Sequence, residues 1–208
     1  MISKSNMEGI RQTTMVIGEG ITEFFFLNSL KDDYKVLRSV KPDYPKNSNL
    51  EELELEIKRA VRDYQRVFCI IDMDNKQEGT ERKKYLELKR KYHQKHIVDE
   101  KNGIDCQVRF FETERCTEMF FLYYFIYTTK KFSSYDEVEK ALCKYCDYEK
   151  RIKFFQKHPL HPYFKKKGGS LEKAIQHAVK STKHKDEHGI NYSFSELGDM
   201  FTELFESK

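Results

Sequence analysis

Acidic residues stand at the ends of three apolar runs in this chain. Glu19 sits in Gly18-Glu19-Gly20, directly after the β-prone run Thr13–Ile17. Asp72 and Asp74 follow Val67–Ile71, and Glu112, Glu114 and Glu118 follow or close Ile104–Phe111. In extended chain, residues two apart point the same way, so Asp72 and Asp74 are expected to present both carboxylates to one face. Carboxylates gathered at one spot repel each other unless they are protonated or bridged by a cation. Mg²⁺ suits that role because it takes hard oxygen ligands and keeps waters that a phosphate can displace.

Each piece also has a plainer reading. With 34 acids in 208 residues, an acid-x-acid triplet is expected by chance roughly five times, so position after a strand is what gives this one weight. Asp72 and Asp74 also fit a solvated strand end, Glu19 an exposed turn acid, and Glu118 a helix-dipole partner. Gly18-Glu19-Gly20 is no dinucleotide loop. Position 23 is Glu where the third glycine would stand, and an acid there would repel pyrophosphate. No Walker A sequence occurs. A second pattern, Cys143-x-x-Cys146 followed by His158-x-x-His161, approaches a Cys₂His₂ zinc site, but both remaining spacings fall one residue short. Its cysteines read better as small buried thiols in a helix, as Cys69, Cys106 and Cys116 do in the core.

The elements that must position these groups alternate. Strands are expected over Thr13–Ile17, Tyr34–Val40, Val67–Ile71 and Ile104–Phe111. Helices are expected from Thr22, over Leu50–Tyr64 and over about Thr80–Gln94. This β-α-β-α-β-α-β order implies parallel crossovers and a four-stranded, mainly parallel, Rossmann-like sheet between helices, in an α/β fold. In such sheets ligands gather beyond the carboxyl ends of the strands, where these acids lie. From Cys116 the pattern is helical, with helices expected over Thr117–Thr128, Tyr135–Gln156, Leu171–Lys183 and Ser193–Phe205. The division is an α/β core at 11–115 and a helical extension at 116–208, packed on it as one compact unit. The aromatic run Phe120–Tyr127 fits burial between the two better than base stacking.

Composition sets the outer bounds. Hydrophobic residues make up 38% and charged residues 35% of the chain, yet 16 Phe and 13 Tyr supply enough area for a core. A net charge of +4 permits nucleic-acid binding without requiring it. Met1–Arg11 is polar and no apolar run approaches the length of a bilayer span. With an odd cysteine count as well, a cytoplasmic protein without membrane attachment is expected.

Gly18-Glu19-Gly20-x-Thr22-Glu23-x-Phe25-Phe26 after a first strand, with Ile70-Ile71-Asp72-x-Asp74 ending a later one, resembles the Toprim domain. More narrowly, the chain resembles RloB-like proteins of bacterial defence and restriction loci. Arg115-Cys116-Thr117-Glu118-Met-Phe-Phe-Leu resembles the family segment in which a Glu opens an apolar helix. His161-Pro-Tyr163-x-Lys165 resembles its Tyr-x-Lys. The resemblance implies a Mg²⁺- or Mn²⁺-dependent nuclease cleaving DNA or RNA, with a place in phage defence. Under it, Glu19 is the general acid/base, and Asp72 and Asp74 hold the metal together with Glu118 and Glu19. Thr22 and Glu23 are accessory. Lys165 and Lys166, in a basic turn that also fits a solvated rim, meet the substrate. Implied partners are nucleic acid and a partner protein of a defence system, and a homodimer is compatible. The alternative is a non-catalytic module using the same fold to bind a nucleotide or a partner.

Overall fold

A computed structural model describes residues 13–74, 76–189 and 191–206. The polar opening read over Met1–Arg11 and the first residues of the 11–115 core lie outside the described residues. The fold is α/β, with a mostly parallel sheet of five strands in the order β2-β1-β3-β5-β4. The strands are β1 (Thr14–Ile17), β2 (Val40–Asp43), β3 (Arg66–Asp72), β4 (Lys95–Asp99) and β5 (Ile104–Thr113). All neighbours are parallel except β4, which turns back against β5 as an antiparallel edge.

Alternation along the strands builds two cores. Val16, Phe68, Ile70 and Phe111 face one side of the sheet, and Met15, Ile17, Val67, Cys69, Ile71, Val108 and Phe110 face the other. Burial on both faces is why β3 is apolar throughout, as parallel strands between helices require. On the second face lie α2 (Leu50–Asp63) and α3 (Gly79–Tyr92). In α2, Leu50, Leu53, Ile57, Ala60 and Val61 form one buried stripe, and Asn49 caps its start by accepting from the Glu52 amide at 2.8 Å. The first face carries α1 (Ile21–Ser29), α4 (Glu118–Tyr123), α5 (Tyr135–Leu142), α6 (Ile152–Lys157), α7 (Leu160–Lys166), α8 (Leu171–His188) and α9 (Leu197–Glu206). These helices share one core with β1 and β3, so residues from both halves of the chain pack together. Phe120, Phe121, Tyr123 and Tyr124 are completely buried there, as the all-round apolar pattern implied. Among the described residues no helix is long and apolar enough to cross a membrane.

Four expectations need correction. The sheet has five strands, because Lys95–Asp99, between the helix expected over about Thr80–Gln94 and the strand expected from Ile104, pairs as an edge beside β5. The second strand begins only at Val40. Lys35–Ser39 winds instead into a 3₁₀ turn. The helix expected over Thr117–Thr128 ends at Tyr123. The helix expected over Tyr135–Gln156 breaks after Leu142 and resumes at Ile152. The intervening chain is drawn to Glu118, where Tyr148 and Lys150 find their partners.

Candidate acidic site at the carboxyl ends of β1 and β3

β1 and β3 lie side by side, but the chain leaves β1 toward β2 on one side and reaches β3 on the other. That reversal opens a crevice at their carboxyl ends, the usual ligand position in an open α/β sheet. Three connections meet there. Glu19 stands in the turn from β1 into α1, Asp72 closes β3, and Glu118 opens α4 after β5.

Local structure aims each group. Glu23, in the first turn of α1, folds back so that its Oε2 accepts from the Gly20 amide at 2.9 Å, the second half of a capping box. It lies directly over Gly18, where an added Cβ would collide with the Glu23 Cβ. Gly18 is therefore a close-approach glycine, and the motif serves to sink Glu23 into the fold. Arg115 adopts φ of 68°, a conformation that disfavours L residues by about 1 kcal/mol or more. This turn swings the chain from β5 into α4 and delivers Glu118 inward, while the Arg115 guanidinium donates to the Phe132 carbonyl at 2.9 Å.

The carboxylates sense each other. Burial pushes the Asp72 carboxyl well above the usual range, and the charges of Glu23, Glu19 and Glu118 push it further. Burial, with the Glu118 charge behind it, raises Glu23 to about 7. Burial also raises Glu19, against the opposing pull of Lys76. Glu118 is fully buried. Its Oε1 accepts from the Tyr148 hydroxyl at 2.8 Å and meets Lys150 Nζ at 3.1 Å. Its Oε2 is buried without a hydrogen-bond partner among the described residues. Thr117 donates to Asp72 Oδ1 at 3.2 Å. Lys76 Nζ reaches Glu19 Oε1 at 2.8 Å and the Asp72 carbonyl at 2.9 Å, and the Asp72 amide donates to the same Glu19 oxygen at 3.1 Å. The acids outnumber these cations, so protons must hold part of the balance. A cleft of about 60 Å³ opens beside Glu19, between Gly18, Ser48, Asn49 and Lys76.

The expected residues are thus only partly gathered. Glu19, Asp72 and Glu118 converge, and Glu23 is central to the cluster. Thr22 is buried beside them in α1. Asp74 is exposed at the rim, because β3 ends at Asp72 and the chain turns away before it. Its charge still acts on Glu19. Lys165 lies elsewhere, pairing with Asp33 at 2.5 Å beyond the far end of α1, and Lys166 follows it as an exposed residue. Cys143, Cys146, His158 and His161 do not assemble either. His161 is bound to Tyr124 and Asp33, and among the described residues no three His, Cys, Asp or Glu side chains form a group able to hold a metal ion. Sequence reasoning missed Lys76, Thr117, Tyr148 and Lys150. Only the acidity of their surroundings, invisible before folding, marks them.

That last finding bears on magnesium. Mg²⁺ needs only one or two protein carboxylates when waters and substrate phosphates complete its shell. The donors present fit this mode, with hard oxygens on Asp72 and Glu118 and one Glu118 oxygen unsatisfied. They do not fit a closed cage made of protein alone.

A family model described as RloB-like protein matches residues 14–206, and the chain belongs to that family. No curated protein and no solved structure matches it.

Proposed function

We propose that this member of the RloB-like family is a Mg²⁺-dependent nuclease of the Toprim type, acting on DNA or RNA in phage defence. One observation carries the reading: acids from three connections, Glu23 and Glu118 buried and Glu19 and Asp72 half-buried, meet at the sheet's reversal point with too few cations among the described residues to balance them. Such an imbalance is costly in a merely structural site and useful in one that takes up a divalent ion. Asp72 and Glu118 would hold the ion, with Asp74 reaching in from the rim. Bound there, it would neutralise charge on the phosphate oxygens and make a coordinated water more acidic.

The chain's own residues divide the remaining work. Glu19, its carboxyl raised by burial and hydrogen-bonded to Lys76, is suited to take a proton from a water and return it to a leaving oxygen. Lys76 supplies positive charge at the same point. Lys150 is held protonated, since the charges of Glu118, Glu23 and Asp72 outweigh the lowering effect of burial. It gives the phosphate a second fixed cation. Tyr148 and Thr117 orient Glu118 and Asp72.

A second reading has its own support. Lys76 and Lys150 already pair with Glu19 and Glu118, as they would in a non-catalytic module that binds a nucleotide or a partner protein of a defence complex. Cleavage assays with Mg²⁺ on single- and double-stranded DNA and on RNA separate the two. We expect cleavage by the wild-type chain and its loss in Asp72→Asn and Glu118→Gln. Undiminished cleavage by both variants would overturn the nuclease reading.

A further inference from the structure

The segment 147–151 has two sides. Its even-numbered residues, Tyr148 and Lys150, reach Glu118 in the acidic site. Its odd-numbered residues, Asp147, Glu149 and Arg151, line an open groove of about 570 Å³ against α6 and α7. This alternation is what extended chain produces, and it sets the groove and the site on the two sides of a single strand of backbone.

The groove's chemistry is one-sided. Arg151, Lys153, Lys157 and Lys167 line it against only Asp147 and Glu149. Both acids are engaged, Asp147 by Lys167 at 3.0 Å and Glu149 by Arg151 at 3.5 Å. Lys153 and Lys157 carry no salt bridge among the described residues, and both are exposed. Three half-buried rings are set among these cations. His158 lies 5.0 Å from Tyr163 and 4.9 Å from Phe154, ring centre to ring centre, and Phe154 lies 5.5 Å from Tyr163. Hydrogen bonds between Tyr163 and the Asp147 backbone pin the platform to the segment.

We propose that this groove binds a single-stranded stretch of nucleic acid, with phosphates on Lys153, Lys157 and Arg151 and a base against the Phe154–His158–Tyr163 rings. Cations beside aromatic faces are how proteins hold single strands without reading sequence. An acidic peptide would use the cations but leave the rings without a role. The inference rests on the nuclease reading for its purpose, since it hands the strand to Lys150 and the carboxylates. It departs from the Lys165–Lys166 surface, because Lys165 is committed to Asp33.

Binding can be measured apart from cleavage. Fluorescence anisotropy of labelled oligo-dT and oligo-rU in EDTA compares the wild-type chain, Lys153→Glu/Lys157→Glu, His158→Ala and Lys58→Glu, with thermal melts to verify folding. The charge-reversed variant should bind at least ~10-fold more weakly, with a salt slope shallower by about 1.4, the value for two lost single-strand phosphate contacts. His158→Ala should weaken binding about 5-fold with the slope unchanged, as loss of stacking alone predicts. Lys58→Glu, on α2 and outside both the groove and the acidic site, should bind like the wild type. Unchanged affinity in the charge-reversed variant overturns the groove, as does equal displacement of the oligonucleotide by polyglutamate and by unlabelled oligo-dT. The two readings fail separately. Weakened binding with full cleavage by Asp72→Asn removes the nuclease and leaves the groove, whereas lost cleavage with unaltered binding in the charge-reversed variant does the reverse.

Discussion

Two largely buried acidic clusters lie near the carboxyl ends of the adjacent strands β3 and β5 and behave in opposite ways. Around Glu112, on β5, acids and cations match. Glu112 meets Lys89 and the Tyr85 hydroxyl, and Glu196 meets Lys185 at 2.6 Å. Burial works against the Glu112 carboxyl, yet these partners hold it below the usual range. Around Asp72 and Glu23 the partners among the described residues are too few, and burial with mutual repulsion drives both carboxyls up. Burial alone therefore does not decide which way an acid's pKa moves in this fold. The count of opposing charges does, because uncompensated charge in a dry site is costly unless something else is meant to enter.

The contrast breaks most visibly in activity. Asp72→Asn should lower Mg²⁺-dependent cleavage by about 100-fold or more, a loss of roughly 3 kcal/mol of transition-state stabilisation, with little loss of folding stability. Glu112→Gln should leave cleavage within a few-fold. Single-turnover assays on the two purified variants check this pair.

The next contrast is in pH. Glu23 ionises in the fold near 7 rather than its ordinary 4.5. The stability it contributes is full below pH 4.5 and is lost as pH rises through 7, by up to about 3 kcal/mol. Glu112 runs the other way. Its lowered pKa contributes stability above the ordinary carboxyl range, which is lost as pH falls through it. Urea melts in metal-free buffer should show Glu23→Gln gaining on the wild type between pH 4.5 and 7. A parallel pair of curves would count against the cluster's imbalance.

Smaller effects sharpen the picture. Glu112→Gln should cost about 2 kcal/mol in urea melts at pH 7, since it removes a charge-assisted hydrogen bond from a mostly buried site. Gly18→Ala, which drives a methyl into Glu23, should cost about 1–3 kcal/mol and reduce cleavage as Glu23 moves. Lys165→Ala should change stability by less than about 1 kcal/mol and leave cleavage intact, because its pairing with Asp33 is exposed.

Much of the fold was legible because its signals are local. β3 is apolar end to end, α2 carries its stripe and its Asn49 cap, and acids close the strands. What escaped depends on distant partners. The β4 edge reads Lys-His-Ile-Val-Asp and is largely exposed, so it lacks the apolar signature of an inner strand. The break after Leu142 contains neither Gly nor Pro. Tyr148 and Lys150 are drawn to a carboxylate about 30 positions earlier, and that tertiary pull overrides helix propensity. The candidate site divides in the same way. Glu19, Asp72 and Glu118 could be named from strand ends, and Glu23 only as an accessory, since nothing in sequence foretold that Gly18 would let it sink to the centre. Asp74 was placed beside Asp72 on the assumption that the strand continued, but it ends two residues before Asp74.

On the proposed function, the unbalanced cluster takes up one divalent cation. Titrating Mn²⁺ into the metal-free chain at pH 7.5, with free Mn²⁺ followed by electron paramagnetic resonance, tests it without any substrate. The free signal should fall by one site per chain, return with excess Mg²⁺, and stay unchanged with an Asp72→Asn/Glu118→Gln double variant. A free signal that is the same with and without the wild-type protein would contradict it.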